Sequence, residues 1–296
     1  MNRAFFRIVL AVLASTWSSL SVKAAEDNIQ WLVFDFPPIY IVSGPTAGSG
    51  FVDHMEEDVK QLLPHYNHSR TTANIKRVLM SIKSNQNVCS SALLWTEEQA
   101  QYIEYSLPFM FVLPPHFVIR RNDLALFEPF MDNKGHVSLE RLLTESNLIL
   151  GFTSARAYSK VLAPILDTHA NSSNSFESLT GSITRPLLKM LTRNRFDYTI
   201  AYPSEVTYIA RELDIPEDQF RTLPIAEGHQ IQHAYFGCPK SPWGRQAVAA
   251  MNSVIKQMRG QPSFYGNYLK WLGAEGSREY QTLLEHGFTD TFPPTH

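Results

Sequence analysis

Two stretches carry residues whose types and spacing could form a ligand site. In the first, the apolar run 31–34 (WLVF) leads into Asp35 and Phe36, and Pro37-Pro38 then stops it. Prolines cannot donate hydrogen bonds to a sheet, so the strand must end near Phe36. Ligands in open α/β sheets sit at the carboxyl ends of strands. We therefore predict that Phe36 forms one wall of a binding cleft.

The second stretch is 151–156 (GFTSAR), which places Arg156 between the end of a strand and the start of a helix. A helix N-terminus together with a guanidinium group can hold an anion, because both present N–H donors and positive charge. Arg156 is therefore a candidate for an anionic ligand group, and a surface salt bridge is the alternative.

Other residues of types that could be catalytic or bind a metal do not form a site. Glu97 and Glu98 are adjacent, and on a helix they would point about 100° apart, so they are not a catalytic dyad. No cysteine or third clustered ligand supports a metal site at His54, His65 and His68. We therefore expect exposed loop histidines and no metal. The chain has no G-x-S-x-G, H-E-x-x-H or phosphate-loop motif, and we expect no cofactor.

Alternating apolar patterns predict the elements that position these residues. Strands are expected from about residue 31 to Phe36 and at 87–94, 116–120, 148–152, 196–201 and 233–238. Helices are expected at 51–63, 72–83, 139–145, 157–166, 185–192, 204–213 with Ser204 as N-cap, after Ser241, and at 280–285. Strand and helix units in this order indicate βαβ architecture.

The N-terminus has the pattern of an export signal. Residues 1–24 carry Arg3 and Arg7, then the apolar stretch 8–13 and the small-residue site 22–24 (VKA). This predicts a cleaved signal peptide and a periplasmic protein, with an uncleaved anchor helix as the alternative. Neither cysteine lies at the cleavage site, so we expect no lipid anchor.

Composition and charge exclude several classes of partner. The 296 residues are 44% hydrophobic, which is enough for a large core and for two domains. Without the signal peptide, 23 basic and 28 acidic residues give a net charge of −5. This argues against nucleic acid or an anionic membrane as partner. Two cysteines in an exported chain favour one disulfide over two buried thiols.

Six short motifs resemble those of a known family. They are 36–40 (FPPIY), 50–53 (GFVD), 95–99 (WTEEQ), 105–109 (YSLPF), 195–198 (RFDY) and 268–273 (YLKWLG). In this order they resemble the periplasmic solute-binding proteins of ABC importers, in the type II, polar-amino-acid-like (family 3) branch. The resemblance covers roughly residues 30–273.

The resemblance implies an α/β fold of two Rossmann-like lobes, joined by two crossing strands, with the ligand cleft between them. The crossings would fall near 120–123 and 226–232. Lobe one would comprise 25–120 and 231–296, and lobe two would comprise 121–230. In such folds the returning strand lies beside the third strand, which implies a Cys89–Cys238 disulfide.

The same resemblance implies which residues face the ligand: Phe36, Ser91, Trp95, Thr96, Arg156 and Tyr202. In that branch an arginine binds the ligand carboxylate and an aspartate binds its ammonium group. Gln99 and Tyr202 stand at those two positions, and neither side chain supplies the charge. The expected ligand therefore has an apolar or planar body and one anionic group. Core packing is the alternative role of Trp95 and Tyr202.

We therefore expect a solute-binding protein, not an enzyme, that closes around a small molecule. Its partner would be an ABC permease or a sensor kinase. One alternative is a periplasmic dehydratase on the same fold, with Asp35 or Glu98 as general acid. Another is an interaction protein that has lost its ligand.

Overall fold

The computed structural model describes residues 28–84, 86–153, 156, 158–170, 172–178, 184–259 and 261–288. The predicted signal peptide, residues 1–24, lies outside this part. No helix in the described ranges has the length and apolar character needed to cross a membrane.

Strands and helices alternate along the described residues. The strands are β1 (Asn28–Val33), β2 (Asn67–Thr72), β3 (Val88–Leu94), β4 (Ile103–Tyr105), β5 (Met110–Val112), β6 (His116–Arg120), β7 (Leu150–Phe152), β8 (Ser175–Glu177), β9 (Tyr198–Ala201), β10 (Phe220–Pro224) and β11 (Gln232–Pro239). The α-helices are α1 (Phe51–Gln61), α2 (Ile75–Lys83), α3 (Leu139–Glu145), α4 (Leu162–His169), α5 (Arg185–Leu191), α6 (Pro203–Glu212), α7 (Pro242–Met258), α8 (Pro262–Leu269) and α9 (Gly273–His286).

The first sheet has the order β2-β1-β3-β11-β4, with β5 also paired to β11. β1 runs parallel to β2 and β3, and the helices α1 and α2 make the crossovers between them. β11 returns antiparallel between β3 and β4. The predicted βαβ architecture is therefore confirmed for this sheet.

The second sheet has the order β10-β6-β9-β7-β8 and is covered by apolar residues on both faces. Phe117 and Ile119 of β6 pack with Tyr198 and Ile200 in one core cluster. Val118, between them in sequence, packs in the other cluster. Successive residues of a strand face opposite sides, so a strand buried on both faces is apolar at consecutive positions, as β6 is from Phe117 to Ile119.

One strand was predicted as an exposed loop. The stretch around His68 is β2, paired with β1 from Asn28↔Asn67 to Val33↔Thr72. Its sequence, NHSRTT, has no apolar residue, and the strand lies at the edge of the sheet. Its hydrogen-bonded neighbour, and not its own hydrophobic pattern, determines its conformation.

Four predicted helix starts were wrong. The helix expected at 72–83 begins at Ile75, because residues 67–72 form β2, and the helix expected at 280–285 begins at Gly273. The helix expected at 157–166 begins at Leu162, and the helix expected from Ser204 begins at Pro203. Tyr202, and not Ser204, is the N-cap of α6. Proline fits the first position of a helix because its missing N–H would have had no partner there.

The predicted disulfide is confirmed: Cys89 of β3 is bonded to Cys238 of β11 across 149 residues of chain. The two strands are hydrogen-bonded neighbours, and Ser90 pairs with Gly237 in their register. The bond therefore joins the returning strand to the centre of the first sheet.

The chain divides into two compact units. The first ends at Phe109 and takes in Ala234–Gln261, and the second comprises Met110–His233 and continues from Pro262. The predicted lobe boundaries lay at 120/121 and 230/231 and stay a prediction. In the division found here, β6 belongs to the second unit, because its two partners β9 and β10 are strands of the second sheet.

Candidate functional site

In the first unit, three predicted site residues follow two neighbouring parallel strands. Phe36 follows β1, and Trp95 and Thr96 follow β3. The strands pair in parallel at Trp31↔Cys89, so their carboxyl ends lie at one edge of the sheet. Phe36 and Trp95 are half-buried and Thr96 is exposed. This edge is the usual ligand-binding position of such a sheet.

The turn that carries Phe36 is fixed from both sides. The backbone N–H groups of Phe36 and Tyr40 each donate to the other residue's carbonyl, at 3.3 and 3.1 Å. Asp53 Oδ2 accepts from the backbone N–H groups of Ile41 (3.0 Å) and Gly50 (2.9 Å). A Cβ on Gly50 would lie 2.4 Å from the carbonyl oxygen of Ile39, so a larger residue would displace the turn.

Ser91 lies inside a buried hydrogen-bond network. Its hydroxyl donates to Glu56 Oε2 at 2.6 Å and contacts the Tyr40 hydroxyl. Lys60 lies 2.8 Å from the other oxygen of Glu56. Burial, and then the nearby Glu56 carboxylate, raise the pKa of Tyr40. Ser91 thus bonds within the core, and its contact with a ligand stays a prediction.

The sequence analysis missed Glu56, although one pattern could have revealed it. Glu56 is four residues after Val52 and three before Val59, both of which are buried on the core-facing side of α1. Residues at these spacings share one face of a helix. An acid on that face indicates a buried polar partner elsewhere in the chain.

The backbone leaves regular strand geometry beside Ser91. Ala92 has a φ of +57°, which is uncommon for any residue other than glycine. Opposite it, the register of β11 shifts between Tyr235 and Gly237. Backbone of this kind costs about 1–3 kcal/mol and is concentrated at functional sites.

Gln99, which the resemblance predicts at the position of a carboxylate-binding arginine, is hydrogen-bonded within the chain. Its side-chain oxygen accepts from the Tyr105 hydroxyl at 3.0 Å. Its backbone N–H donates to Thr96 Oγ1 at 3.2 Å. Trp95, next to Thr96, packs against the apolar cluster that contains Leu93 and Tyr105. The first unit therefore offers aromatic surface and neutral hydrogen-bonding groups at this edge.

In the second unit, Arg156 and Tyr202 meet at the carboxyl ends of β7 and β9. These strands are parallel neighbours, with Leu150 paired to Tyr198. The Arg156 guanidinium lies 5.7 Å from the centroid of the Tyr202 ring. Burial raises the pKa of Tyr202, and the charge of Arg156 partly opposes that rise.

Arg156 forms a buried ion pair that the sequence analysis missed. Its guanidinium donates to both oxygens of Glu205, at 3.0 and 2.8 Å, and to the Thr184 hydroxyl. Glu205 also accepts from the Tyr202 backbone N–H at 3.1 Å, which caps α6. An acid three residues after a helix N-cap is the signal that could have predicted Glu205. Arg156 Nε is buried and has no hydrogen-bond partner within the described ranges.

A second group of polar residues lines a cavity of about 400 Å³ in the second unit. His116 begins β6, His229 follows β10, and Glu279 lies in α9. The carboxylate of Glu279 is 3.6 Å from a ring nitrogen of each histidine. Burial lowers the pKa of His116 to about 3 and that of His229 below its usual value. Burial raises the pKa of Glu279 to about 7.

The triad of His116, His229 and Glu279 does not include the histidines considered in the sequence analysis. His54 and His65 are exposed. His68 is half-buried and accepts a hydrogen bond from Trp31 Nε1 at 3.0 Å, so it is not a solvated loop residue. The triad could not be predicted from the sequence because its three residues come from distant segments of the chain.

Solved structures with a similar fold match most of the chain. A probable amino-acid ABC transporter extracellular-binding protein from Bacillus subtilis is 15% identical, with a TM-score of 0.62 over 83% of this chain and 97% of its own. A polar amino acid ABC uptake transporter substrate-binding protein from Streptococcus thermophilus is 14% identical, with a TM-score of 0.62 over 90% of this chain and 94% of its own. The chain has the fold of the type II periplasmic binding proteins. The predicted fold class is thereby confirmed.

A histidine kinase sensor domain with similarity to periplasmic binding proteins also matches. It is 14% identical, with a TM-score of 0.53 over 85% of this chain and 98% of its own. No protein-family model and no curated protein matches the chain. On this periplasmic-binding-protein fold, the predicted site residues divide between the units: Phe36, Ser91, Trp95 and Thr96 lie in the first, and Arg156 and Tyr202 in the second.

Proposed function

We propose that the chain is an extracytoplasmic solute-binding protein that captures a small polar or aromatic ligand by hinge closure, for ABC import or for sensing. The observation that carries the proposal is the fold, shared over 83–90% of the chain with ABC transporter binding proteins. A sensor domain also shares the fold, so a sensor kinase is a candidate partner beside a permease. Export through the signal peptide 1–24 would place the protein in the periplasm.

The residues at the two sheet edges support a particular ligand chemistry. Phe36 and Trp95 offer half-buried aromatic surface, which suits a planar or apolar body. Arg156 Nε has an unused N–H donor, and Tyr202 lies beside it, which suits one anionic group. Because Glu205 already neutralises Arg156, a dianionic ligand is less suitable than a monoanion.

A simple α-amino acid fits these residues poorly. Its carboxylate would meet Gln99, which is neutral and already accepts from Tyr105. Its ammonium group would meet Tyr202, which carries no negative charge, beside the Arg156–Glu205 pair, whose charges cancel each other. Burying a charged ligand group without an opposite charge is costly. We therefore expect aromatic monocarboxylates to bind more tightly than zwitterionic amino acids.

The test is a thermal-shift screen of residues 25–296 against aromatic acids, amino acids and opines. A ligand at 100 times its dissociation constant should stabilise the folded chain by about 2.7 kcal/mol. The neutral amide of each positive acid serves as a matched control for the anionic group. The proposal predicts a shift with at least one aromatic acid and a smaller shift with its amide.

Two variants connect a positive result to the proposed site. Trp95→Ala should weaken binding of the acid and of its amide alike, because it removes contact with the ligand body. Arg156→Met should weaken binding of the acid more than that of the amide. Phe176→Ala is the control, since Phe176 is an aromatic residue 40% exposed on β8, the edge strand of the second sheet. Equal affinities in all three variants would exclude this site.

No observation favours the dehydratase alternative. Asp35 and Glu98, its candidate general acids, are both exposed, whereas a general acid acts from a pocket that holds its substrate. Failure of every compound in the screen would favour a protein that acts through contact with another macromolecule.

A further inference from the structure

The cavity of the second unit has no role in the proposed solute site. We propose that His116, His229 and Glu279 bind a divalent transition-metal ion of the Zn²⁺ class in this cavity. One potential ligand atom from each residue lies within 4.8 Å of the other two. The inference does not depend on the proposed solute-binding function.

The distances are close to those of a tetrahedral zinc site. Zinc bonds of about 2.0–2.1 Å place neighbouring ligand atoms about 3.3 Å apart. Glu279 Oε2 lies 3.6 Å from His116 Nε2, and Glu279 Oε1 lies 3.6 Å from His229 Nε2. Each histidine nitrogen is therefore within a few tenths of an ångström of the required distance from one oxygen of the carboxylate. One ligand atom from each residue lies within 4.8 Å of the other two, and side-chain rotation of the partly exposed His229 and Glu279 can shorten these separations.

Several polar atoms of the triad are buried and have no hydrogen bond to another described residue. His116 is only 1% exposed, and neither of its ring nitrogens has a hydrogen-bond partner among the described residues. His229 Nδ1 and Glu279 Oε1 are likewise buried and have no hydrogen bond to any residue in the part of the chain that the structure describes. Buried polar atoms without partners are rare in native proteins. A cation between the three side chains would accept a lone pair from each of them.

The charge of the cavity also favours a cation. Its charged lining residues are Glu128, Lys134, Arg221, Glu275 and Glu279, which sum to −1 with neutral histidines. Arg221 lies 3.7 Å from Glu275, so its charge is already paired. Two imidazoles and one carboxylate suit Zn²⁺, Co²⁺ or Ni²⁺, whereas Mg²⁺ and Ca²⁺ prefer ligand sets made of oxygen.

A third histidine, His136, lies against the triad. The His136 ring centroid is 4.2 Å from that of His229, and His136 lines the same cavity. His136 Nδ1 is 3.5 Å from Asp132 Oδ2, an arrangement that directs the lone pair of a neutral imidazole to Nε2. Three protein ligands leave one coordination position for water, a small anion or His136.

The test uses untagged protein, stripped with EDTA and titrated with ZnCl₂ by calorimetry. We expect one Zn²⁺ per chain. Glu279→Gln and His229→Asn should each weaken binding by at least about tenfold, since loss of even an outer partner costs that much. His54→Asn is the matched control, because His54 is an exposed histidine on α1 of the other unit. It should leave the affinity unchanged.

Titration of the wild-type chain with CoCl₂ keeps the proposal testable even if a variant fails to fold. Tetrahedral nitrogen and oxygen coordination should give intense visible absorption, and Zn²⁺ should abolish it. Three results would overturn the proposal: no stoichiometric Zn²⁺ binding by the wild type, only the weak absorption of octahedral Co²⁺, or affinities of folded Glu279→Gln and His229→Asn equal to that of His54→Asn.

Discussion

The buried pair Arg156–Glu205 should respond asymmetrically to removal of its two charges. The side chains are 6% and 9% exposed, so solvent screens the pair little. Glu205→Gln leaves a buried guanidinium without its counterion and should cost about 3–5 kcal/mol. Arg156→Met leaves Glu205 with the Tyr202 N–H and the N-terminus of α6, so it should cost less, about 2 kcal/mol.

The double variant tests whether the stability losses of the two single variants simply add. With both charges removed, no uncompensated ion is left in the core, and the loss should fall to about 1 kcal/mol. Adding Arg156→Met to Glu205→Gln should therefore restore stability. The assay is urea unfolding of all four proteins, followed by circular dichroism, and analysed as a double-mutant cycle.

A surface pair of the same chemistry is the control. Arg141 and Glu145 lie 3.1 Å apart on α3 and are 44% and 52% exposed. The corresponding cycle there should give a coupling of no more than about 0.5 kcal/mol. If the losses of Arg156→Met and Glu205→Gln simply add in the double variant, the pair is not energetically coupled and the reasoning fails.

Three further predictions concern stability. Replacing both Cys89 and Cys238 by alanine should lower the free energy of unfolding by about 5 kcal/mol, because the bond closes 149 residues, and a loss below about 1 kcal/mol would contradict the chain-entropy estimate. Burial lowers the pKa of His68 below 6.5, so this histidine binds its proton more tightly in the unfolded chain than in the folded one. The free energy of unfolding should therefore fall as the pH drops below about 7. If the His68→Asn chain shows the same dependence of stability on pH, His68 is not its cause. Ala92→Gly should raise stability by up to about 1 kcal/mol by removing the strain at φ +57°, and a loss of that size in urea unfolding would show that Ala92 is not strained.

The sequence predicted those parts of the fold that carry their own apolar pattern. Strands such as β6 and β9 are buried on both faces, and their hydrophobic runs are visible without knowledge of their neighbours. The edge strand β2 could not be predicted, since its polar residues are extended only because β1 lies beside them. The start of α6 was displaced by one residue because proline at the first helical position outweighed the capping preference of Ser204.

The place of the candidate residues in the fold was predictable where position along a strand determines the environment. Phe36 and Arg156 were identified because each follows a buried strand, and both do lie at sheet edges of the expected kind. Their partners could not be predicted in the same way. Glu205 is 49 residues from Arg156, and Glu56 is 35 residues from Ser91. Pairing over such separations depends on the tertiary fold, which local periodicity does not encode.

The most direct test of the central claim is calorimetric titration of residues 25–296 with the aromatic acid that gives the largest thermal shift. We expect one ligand per chain, with weaker binding in Trp95→Ala and in Arg156→Met and unchanged binding in Phe176→Ala. Absence of saturable binding by any acid in the panel, or binding that all three variants retain equally, would contradict it.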